Sequence, residues 1–247
     1  MPTKPPLKGP ERAALMNALY EKYAKKKTWG QHLTYLRKKY FWLLFVGGAS
    51  LFKRFFDIII SIGMIVVSLP LFLIIALAIK LYDRGPIFYT ANRVGKWGKE
   101  FRFVKFRTME INADKKIDAL QSQNIHLDPG TFKMKEDPRI TPVGKILRRM
   151  SLDELPQLWC VLKGDMSLVG PRPPLPREVA HYTLNDRRRL DIKPGITCIW
   201  QVSGRSEIPF NKQVQLDLEY IESQSLWLDI VLLLKTIPAV LFGRGAY

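Results

Sequence analysis

The feature that most constrains this chain is Ile58 to Ile79, 22 consecutive residues without a charge. As a helix that length crosses the hydrocarbon core of a bilayer. Two details argue against a simple crossing. Pro70 lies past the middle of the stretch, two residues after Ser68, and basic residues flank both ends: Lys53 and Arg54 before it, Lys80 and Arg84 after it. Proline removes one helical hydrogen bond and clashes with the turn before it. In lipid the freed backbone group needs an internal partner, and the Ser68 hydroxyl is within reach. A kinked spanning helix and a helix that breaks, dips and returns fit these residues equally well.

Charge separates the two. The chain has 247 residues and a formal charge of +17, of which +9 falls in residues 1–57, +1 on Lys80 and +7 in residues 81–247. Basic segments stay on the cytoplasmic side and are drawn to anionic headgroups. A straight crossing would export one basic side, whereas a re-entrant hairpin hinged at Ser68 and Pro70 keeps both inside. Nucleic acid is the other partner for such a charge, but the apolar stretch directs the excess to membrane and phosphate-bearing ligands. The stretch starts too late for a signal peptide. Cys160 and Cys198 form no CxxC or Cys/His set, so they read as small core residues.

Along the chain, residues 1–10 are Pro-rich and read as disordered, and Glu11–Lys27 as a basic amphipathic helix. A further helical run from His32 ends in the aromatic segment Tyr40–Val46, too short to span and suited to an interface. Phe101, Phe103 and Phe106 mark a short strand or hairpin in a basic segment, followed by a surface helix and loop over 110–137. Residues 193–205 read as turn, strand and turn, and Asn211–Glu222 as a helix. Leu226–Phe242 is apolar but interrupted by Asp229, Lys235 and Pro238, which favours lying along an interface.

The densest segment is 141–178. Ser151 and Glu154 have the spacing of a capping box before Leu155, Leu158, Trp159 and Leu162. Pro156 strains that reading, because it cannot bond back to Leu152; capping by Asp153 is the alternative. Asp153 and Glu154 sit among Arg148, Arg149, Lys163 and Arg172 in sequence. Adjacent acids can bind Mg²⁺, share a proton, or divide nucleophilic and acid/base work. A well-capped helix start accounts for them as readily. Arg172 between prolines is either a solvated turn residue or a pre-aimed phosphate clamp. Lys105 and Arg107 fit an exposed strand face, and Asp217 an ordinary helix surface. From these residues alone the chain is a membrane-dipping protein with a cationic domain suited to phosphate.

The segments KRFFDIIIS, GPIFYTANRVGKWGKEFRFVKFRTM, DPRITPVGKILRRMSLDELPQLWCVLKGDMSLVGPRP, KPGITCIWQVSGR and LDLEYIESQSLWLDI together resemble the bacterial sugar transferases, the monotopic phosphoglycosyl transferases. The resemblance covers about residues 51–247. It implies transfer of a sugar-1-phosphate from a UDP-sugar to undecaprenyl phosphate with release of UMP and with Mg²⁺. This is the first membrane step of exopolysaccharide, capsule or O-antigen assembly. By similarity Asp153 attacks the phosphate next to the sugar, giving a covalent aspartyl intermediate, and Glu154 assists through metal binding or proton handling. The metal ligands implied are Asp153 and Glu154. Substrate contacts fall to Lys105 and Arg107, to Pro171 and Arg172 of the GPRP turn, to Arg205 and to Asp217. Family members often place Ser and Pro adjacent at the membrane hinge; here Leu69 intervenes.

The expected architecture is α+β and mainly helical. It comprises a basic extension (1–50), a re-entrant membrane helix-break-helix (51–81), and a small cytosolic catalytic domain with short strands and interfacial amphipathic helices (82–247). The expected location is the cytoplasmic face of a bacterial inner membrane, in contact with anionic lipids and open to self-association.

Overall fold

The computed structural model describes residues 14, 17, 29–113, 137–204 and 208–242. The helix expected over 11–27, apart from positions 14 and 17, the helix and loop at 114–136, and Arg205 lie outside them. The chain divides into two compact units, Met1–Phe52 and Lys53–Tyr247.

Helix α1 runs without interruption over Trp29–Asp83, with Pro70 inside it. This departs from the expected helix-break-helix: the backbone stays helical through the proline. Pro70 leaves the Val66 carbonyl without its usual donor. The Ser68 hydroxyl does not turn to that carbonyl; it donates one turn earlier, to Met64 and, at 3.4 Å, to Ile65. Ser68 therefore bonds back onto the turn before the proline, a contact that favours bending of a helix there. Ser50–Asp83 is long and apolar enough to cross a membrane by length and composition, with a mean hydropathy of 2.9 and 11% of its most apolar window buried. A helix this apolar and this exposed needs a non-aqueous partner.

The buried positions of α1 recur four apart. Asp57 and Ser61 face one part of the unit Lys53–Tyr247, and Ile75 and Ile79 another. Asp57 accepts from the Ser167 hydroxyl at 3.2 Å and the Leu168 amide at 3.1 Å. Lys53 reaches Asp229 at 2.5 Å, and Asp229 also accepts from Tyr220 at 2.6 Å. Arg54 donates to the carbonyls of Val161 and Leu162. Three charged residues at the start of the apolar stretch thus bolt it to the domain.

Strands β1 (Phe88–Val94) and β2 (Glu100–Phe106) form the antiparallel hairpin, Phe88 opposite Phe106 and Val94 opposite Glu100. Phe101 and Phe103 enter the main core with Leu158, Met166, Val169 and Tyr220. Phe106, of opposite parity, packs on Phe88 and Phe72 with ring centroids 5.4 and 5.1 Å away. Helix α2 (Pro142–Arg149) starts at Thr141, whose hydroxyl accepts from the Gly144 amide at 2.9 Å. A six-residue 3₁₀ turn over Leu152–Gln157 leads into α3 (Leu158–Lys163). Cys160 and Cys198 are buried and unbridged.

Strand β3 (Ser167–Val169) pairs in parallel with β4 (Gly195–Thr197), and the short helices α4 (Pro176–Val179) and α5 (Leu184–Arg187) lie on the connection. After β4 the chain enters α6 (Ile199–Ser203), a helix where a turn was expected. Helix α7 (Phe210–Ser223) and α8 (Leu226–Phe242) follow. Helix α8 packs on β3, β4 and α6, and leaves Trp227, Ile230, Leu234 and Ile237 exposed on its other side. That amphipathic division agrees with an interfacial helix.

Candidate active site

The Asp153–Glu154 pair sits on the 3₁₀ turn, and Pro156 explains why the turn is not α-helical. Without an amide hydrogen it cannot close the bond to Leu152, so the chain winds more tightly until α3 begins. The capping box expected at Ser151 is absent: Ser151 is left-handed, with φ 52°, and its side chain makes no cap bond. The turn is closed by backbone instead, the Glu154 amide donating to the Ser151 carbonyl at 3.3 Å. A serine held left-handed costs about 1–2 kcal/mol, tolerated here because it redirects the chain after α2. Asp153 is buried, with 6% of its surface exposed, and Glu154 is half-buried.

Both carboxylates line a cavity of about 1040 Å³. Lys105 of β2, Arg148 of α2 and Arg172 line it with them, as does Arg93 of β1. Arg148 is aimed by a hydrogen bond from Nε to the Thr108 hydroxyl, 3.0 Å. Arg93 donates to the Pro173 carbonyl at 3.0 Å, while its Nε is buried without a partner. Burial drives the Lys105 ammonium down to about 8, a shift that Asp153 opposes and Arg148 reinforces. Burial, then the nearby Arg172, brings Arg93 down to about 10, and burial also lowers Arg148. Among the described residues, none of these four cations has a carboxylate within ion-pair distance. A set of unpaired cations beside two acids, three of them half-buried and Arg172 exposed, is a site for a multiply charged anion.

The 170–174 turn carries Arg172 to the cavity on a rigid backbone. Gly170 donates to Thr197 at 3.0 Å, Gly195 to Pro171 at 2.9 Å, and Val94 to Pro174 at 2.9 Å. A β-carbon on Gly195 would lie 2.1 Å from the Gly170 nitrogen, so the two backbones touch only because both residues are glycine. Pro171 is fully buried and serves this turn through its carbonyl, whereas Arg172 is exposed.

Two expected contacts lie elsewhere. Arg107 does not line this cavity. Its guanidinium is bonded to both oxygens of Asp83 and, through Nε, to the Pro86 carbonyl at 2.5 Å, which fastens the end of α1 to the hairpin. Asp217 is fully buried behind the wall and holds Arg189, whose Nε is 2.8 Å from its Oδ2. Burial raises Asp217 to about 6 against the pull of Arg189 and Trp200. Arg189, a cavity-lining residue, was invisible in the sequence, where it is the last of three consecutive arginines. Arg148 was noted there only as a neighbour of the acids.

The cavity wall also has an apolar part, formed by Ile60 and Met64 of α1, Leu168 of β3, and Leu233, Leu234 and Ile237 of α8. One hollow therefore joins a cationic region with two carboxylates to a region bordered by the membrane-type helix. For a magnesium ion, the donor set fits a familiar pattern. Mg²⁺ is held by one or two carboxylates plus substrate phosphates. Asp153 and Glu154 supply two, and no group of three or more His, Cys, Asp or Glu suited to a metal occurs among the described residues.

The family model described as bacterial sugar transferase matches residues 48–243. The chain is 40% identical to the exopolysaccharide production protein ExoY of Sinorhizobium fredii, over 82% of this chain and 90% of that protein. It is 46% identical to the galactosyl transferase CpsE of Streptococcus agalactiae, over 78% of this chain and 43% of that protein. It is 43% identical to the undecaprenyl-phosphate galactose phosphotransferase of Salmonella typhimurium, over 79% of this chain and 41% of that protein. The chain thus spans under half the length of the last two.

Proposed function

The chain belongs to the bacterial sugar transferase family and is a phosphoglycosyl transferase, and from that premise we propose that it moves a sugar-1-phosphate from a UDP-sugar onto undecaprenyl phosphate and releases UMP. The observation that carries this reading is the single cavity that joins the Asp153–Glu154 pair and its cations to an apolar wall of α1 and α8. A soluble dianionic donor and a lipid-borne phosphate can meet there.

Asp153 is the nucleophile. Its carboxylate attacks the phosphorus next to the sugar, the bond from that phosphorus to the UMP oxygen breaks, and a phosphosugar-aspartate remains. A phosphate oxygen of the lipid then attacks the same phosphorus and restores the carboxylate. Splitting the transfer lets two substrates from different phases react in turn. A carboxylate approaching a diphosphate meets strong repulsion, which Lys105, Arg148 and Arg172 reduce by neutralising the phosphoryl oxygens. Bound Mg²⁺, held by Asp153 and Glu154, would add charge neutralisation at the same oxygens. Glu154 handles the remaining proton or metal contact.

We place both flanks of the apolar stretch on the cytoplasmic face, with α1 bent at Pro70 rather than broken, supported by basic residues on both flanks and by the packing of Asp57 and Ile79, from its two ends, on the same unit. Anionic headgroups then meet the basic flanks. In detergent or nanodiscs with Mg²⁺, release of UMP from a UDP-hexose should require undecaprenyl phosphate and vanish in Asp153→Asn. Full activity in that variant would remove Asp153 as nucleophile. Cysteine labelling on either side of Ile58–Ile79 should find both flanks on one face; labelling on opposite faces would mean a true span.

A further inference from the structure

A second set of cations gathers outside the cavity, where the apolar stretch of α1 begins. Arg54 gives Nη1 to the Val161 carbonyl at 2.5 Å and Nη2 to the Leu162 carbonyl at 2.7 Å, which caps the last turn of α3. Gly164 follows that turn in the left-handed region, with φ 91°. A β-carbon there would lie 3.5 Å from Arg54 Nη2 and 3.5 Å from Lys193 Nζ. The glycine thus leaves a notch bordered by a guanidinium and an ammonium. Lys193 is half-buried, and among the described residues it has no hydrogen bond and no carboxylate within ion-pair distance. Burial lowers its pKa and the neighbouring Arg54 and Lys96 lower it further, against Asp57 and Asp165. Asp57 is itself engaged by Ser167 and the Leu168 amide.

The group extends in two directions. Lys96 opens the Lys96–Gly98 turn of the hairpin and holds Nζ 4.3 Å from the centre of the Trp97 ring. Lys163, immediately before Gly164, stands 6.0 Å from the Trp159 ring. Trp97 is 80% exposed and Trp159 55%. None of these residues lines the catalytic cavity. An ammonium and a guanidinium that share one notch suit a phosphate, whose oxygens accept from both at about 2.8 Å. Each terminal nitrogen of Arg54 keeps a second hydrogen for it. A free phosphate has no use for the exposed indoles beside the lysines, whereas tryptophan is enriched at the headgroup level of a bilayer. Arg54 lies four residues before Ile58, the first of the apolar stretch. Lys53, the other basic residue of that flank, is closed off by Asp229.

We propose that Arg54, Lys193 and Lys96, with Trp97 and Trp159 beside them, form a headgroup site for an anionic glycerophospholipid at the rim of the bilayer, separate from the catalytic cavity. The assignment rests on the reading that α1 enters the bilayer. It moves the headgroup contact of this flank from residues adjacent in sequence to two lysines far along the chain. It also sets the depth of the cavity, because Ile60 of the cavity wall lies about 9 Å further along α1 than Arg54.

The test is titration of the full-length protein in maltoside micelles with dioleoyl phosphatidylglycerol or dioleoyl phosphatidylcholine, the bound lipid being counted by native mass spectrometry. The wild type should bind the phosphatidylglycerol at least about tenfold tighter. Lys96→Gln/Lys193→Gln should weaken that binding about 25-fold, at about fivefold for each charge near an anionic surface, and leave phosphatidylcholine unchanged. Lys145→Gln/Lys212→Gln removes the same charge from exposed positions elsewhere and should change neither. Both double variants should release UMP at the wild-type rate in the same micelles. A Lys96→Gln/Lys193→Gln protein that keeps the wild-type affinity for phosphatidylglycerol overturns the proposal. So does an equal loss in Lys145→Gln/Lys212→Gln, which would make the attraction a matter of net charge. Displacement of the lipid by millimolar inorganic phosphate would make this a free-anion site, and tighter binding of a single-stranded oligonucleotide a nucleic-acid surface; either result overturns the headgroup assignment. Absence of UMP release from the wild type with any UDP-sugar would instead strike the function and leave the lipid titration standing.

Discussion

Lys105 and Arg107 are two residues apart on one strand end, yet they belong to different parts of the molecule. Arg107 is bonded to both oxygens of Asp83 and to a backbone carbonyl, and it holds α1 against the hairpin. Lys105 enters the cavity beside Asp153 with no carboxylate at ion-pair distance among the described residues, and burial brings it down to about 8. The same contrast separates Arg139, buried against Asp137 at 2.6 Å, from Arg148, which is aimed by a threonine hydroxyl. A cation whose charge is already matched is a structural tie. One brought into a low-dielectric hollow unmatched is costly unless an anion arrives. In this protein the paired cations tie elements together, and unpaired ones such as Lys105 and Arg148 line the cavity beside the two acids.

The contrast can be broken by experiment. Its strongest arm is the acid the unpaired cations surround: Asp153→Asn should lower turnover by on the order of 10⁴-fold or more with no loss in thermal midpoint. Trapping of a phosphosugar adduct on the wild type, and not on this variant, would check it by mass spectrometry. Next, Arg148→Ala should lower kcat/KM by about 10²–10³-fold, with little change in a urea melt; a destabilised variant with unchanged kcat/KM would place Arg148 among the ties. Lys105 should show itself through pH. Its ammonium is charged below about 8 and neutral above, so kcat/KM for the anionic donor should decline as pH rises through 8. Lys105→Arg should erase that decline, since a guanidinium stays charged. The smallest effect on catalysis belongs to Arg107→Ala, with kcat/KM within about threefold, while stability drops by roughly 2–4 kcal/mol from the orphaned Asp83 and lost carbonyl bond. A large catalytic defect without destabilisation would return Arg107 to the site.

Much was legible because it depends on local pattern. The apolar stretch, the hairpin with Phe101 and Phe103 inward, and the amphipathic division of α8 follow from periodicity and charge. The Asp153–Glu154 pair stood out by its motif, and the GPRP turn by its prolines. Misreadings arose where local rules met a competing demand. Ser151 has capping spacing, but Pro156 two residues past the acids forbids an α-helical start, and the serine went left-handed instead. At Pro70 the expected break did not appear, because one missing hydrogen bond does not outweigh a long helix on either side.

By itself the sequence determined which side chains were available: two adjacent acids, a surplus of cations, and a helix long and apolar enough to cross a membrane. Only the tertiary structure decided which cations stay open and which are spent on Asp83, Asp137 or Asp217. That choice depends on partners 24 residues away for Arg107 and 28 for Arg189, pairs that no spacing rule connects. The physical reason is that charge compensation is a property of three-dimensional neighbours, whereas helical and strand periodicity is written along the chain.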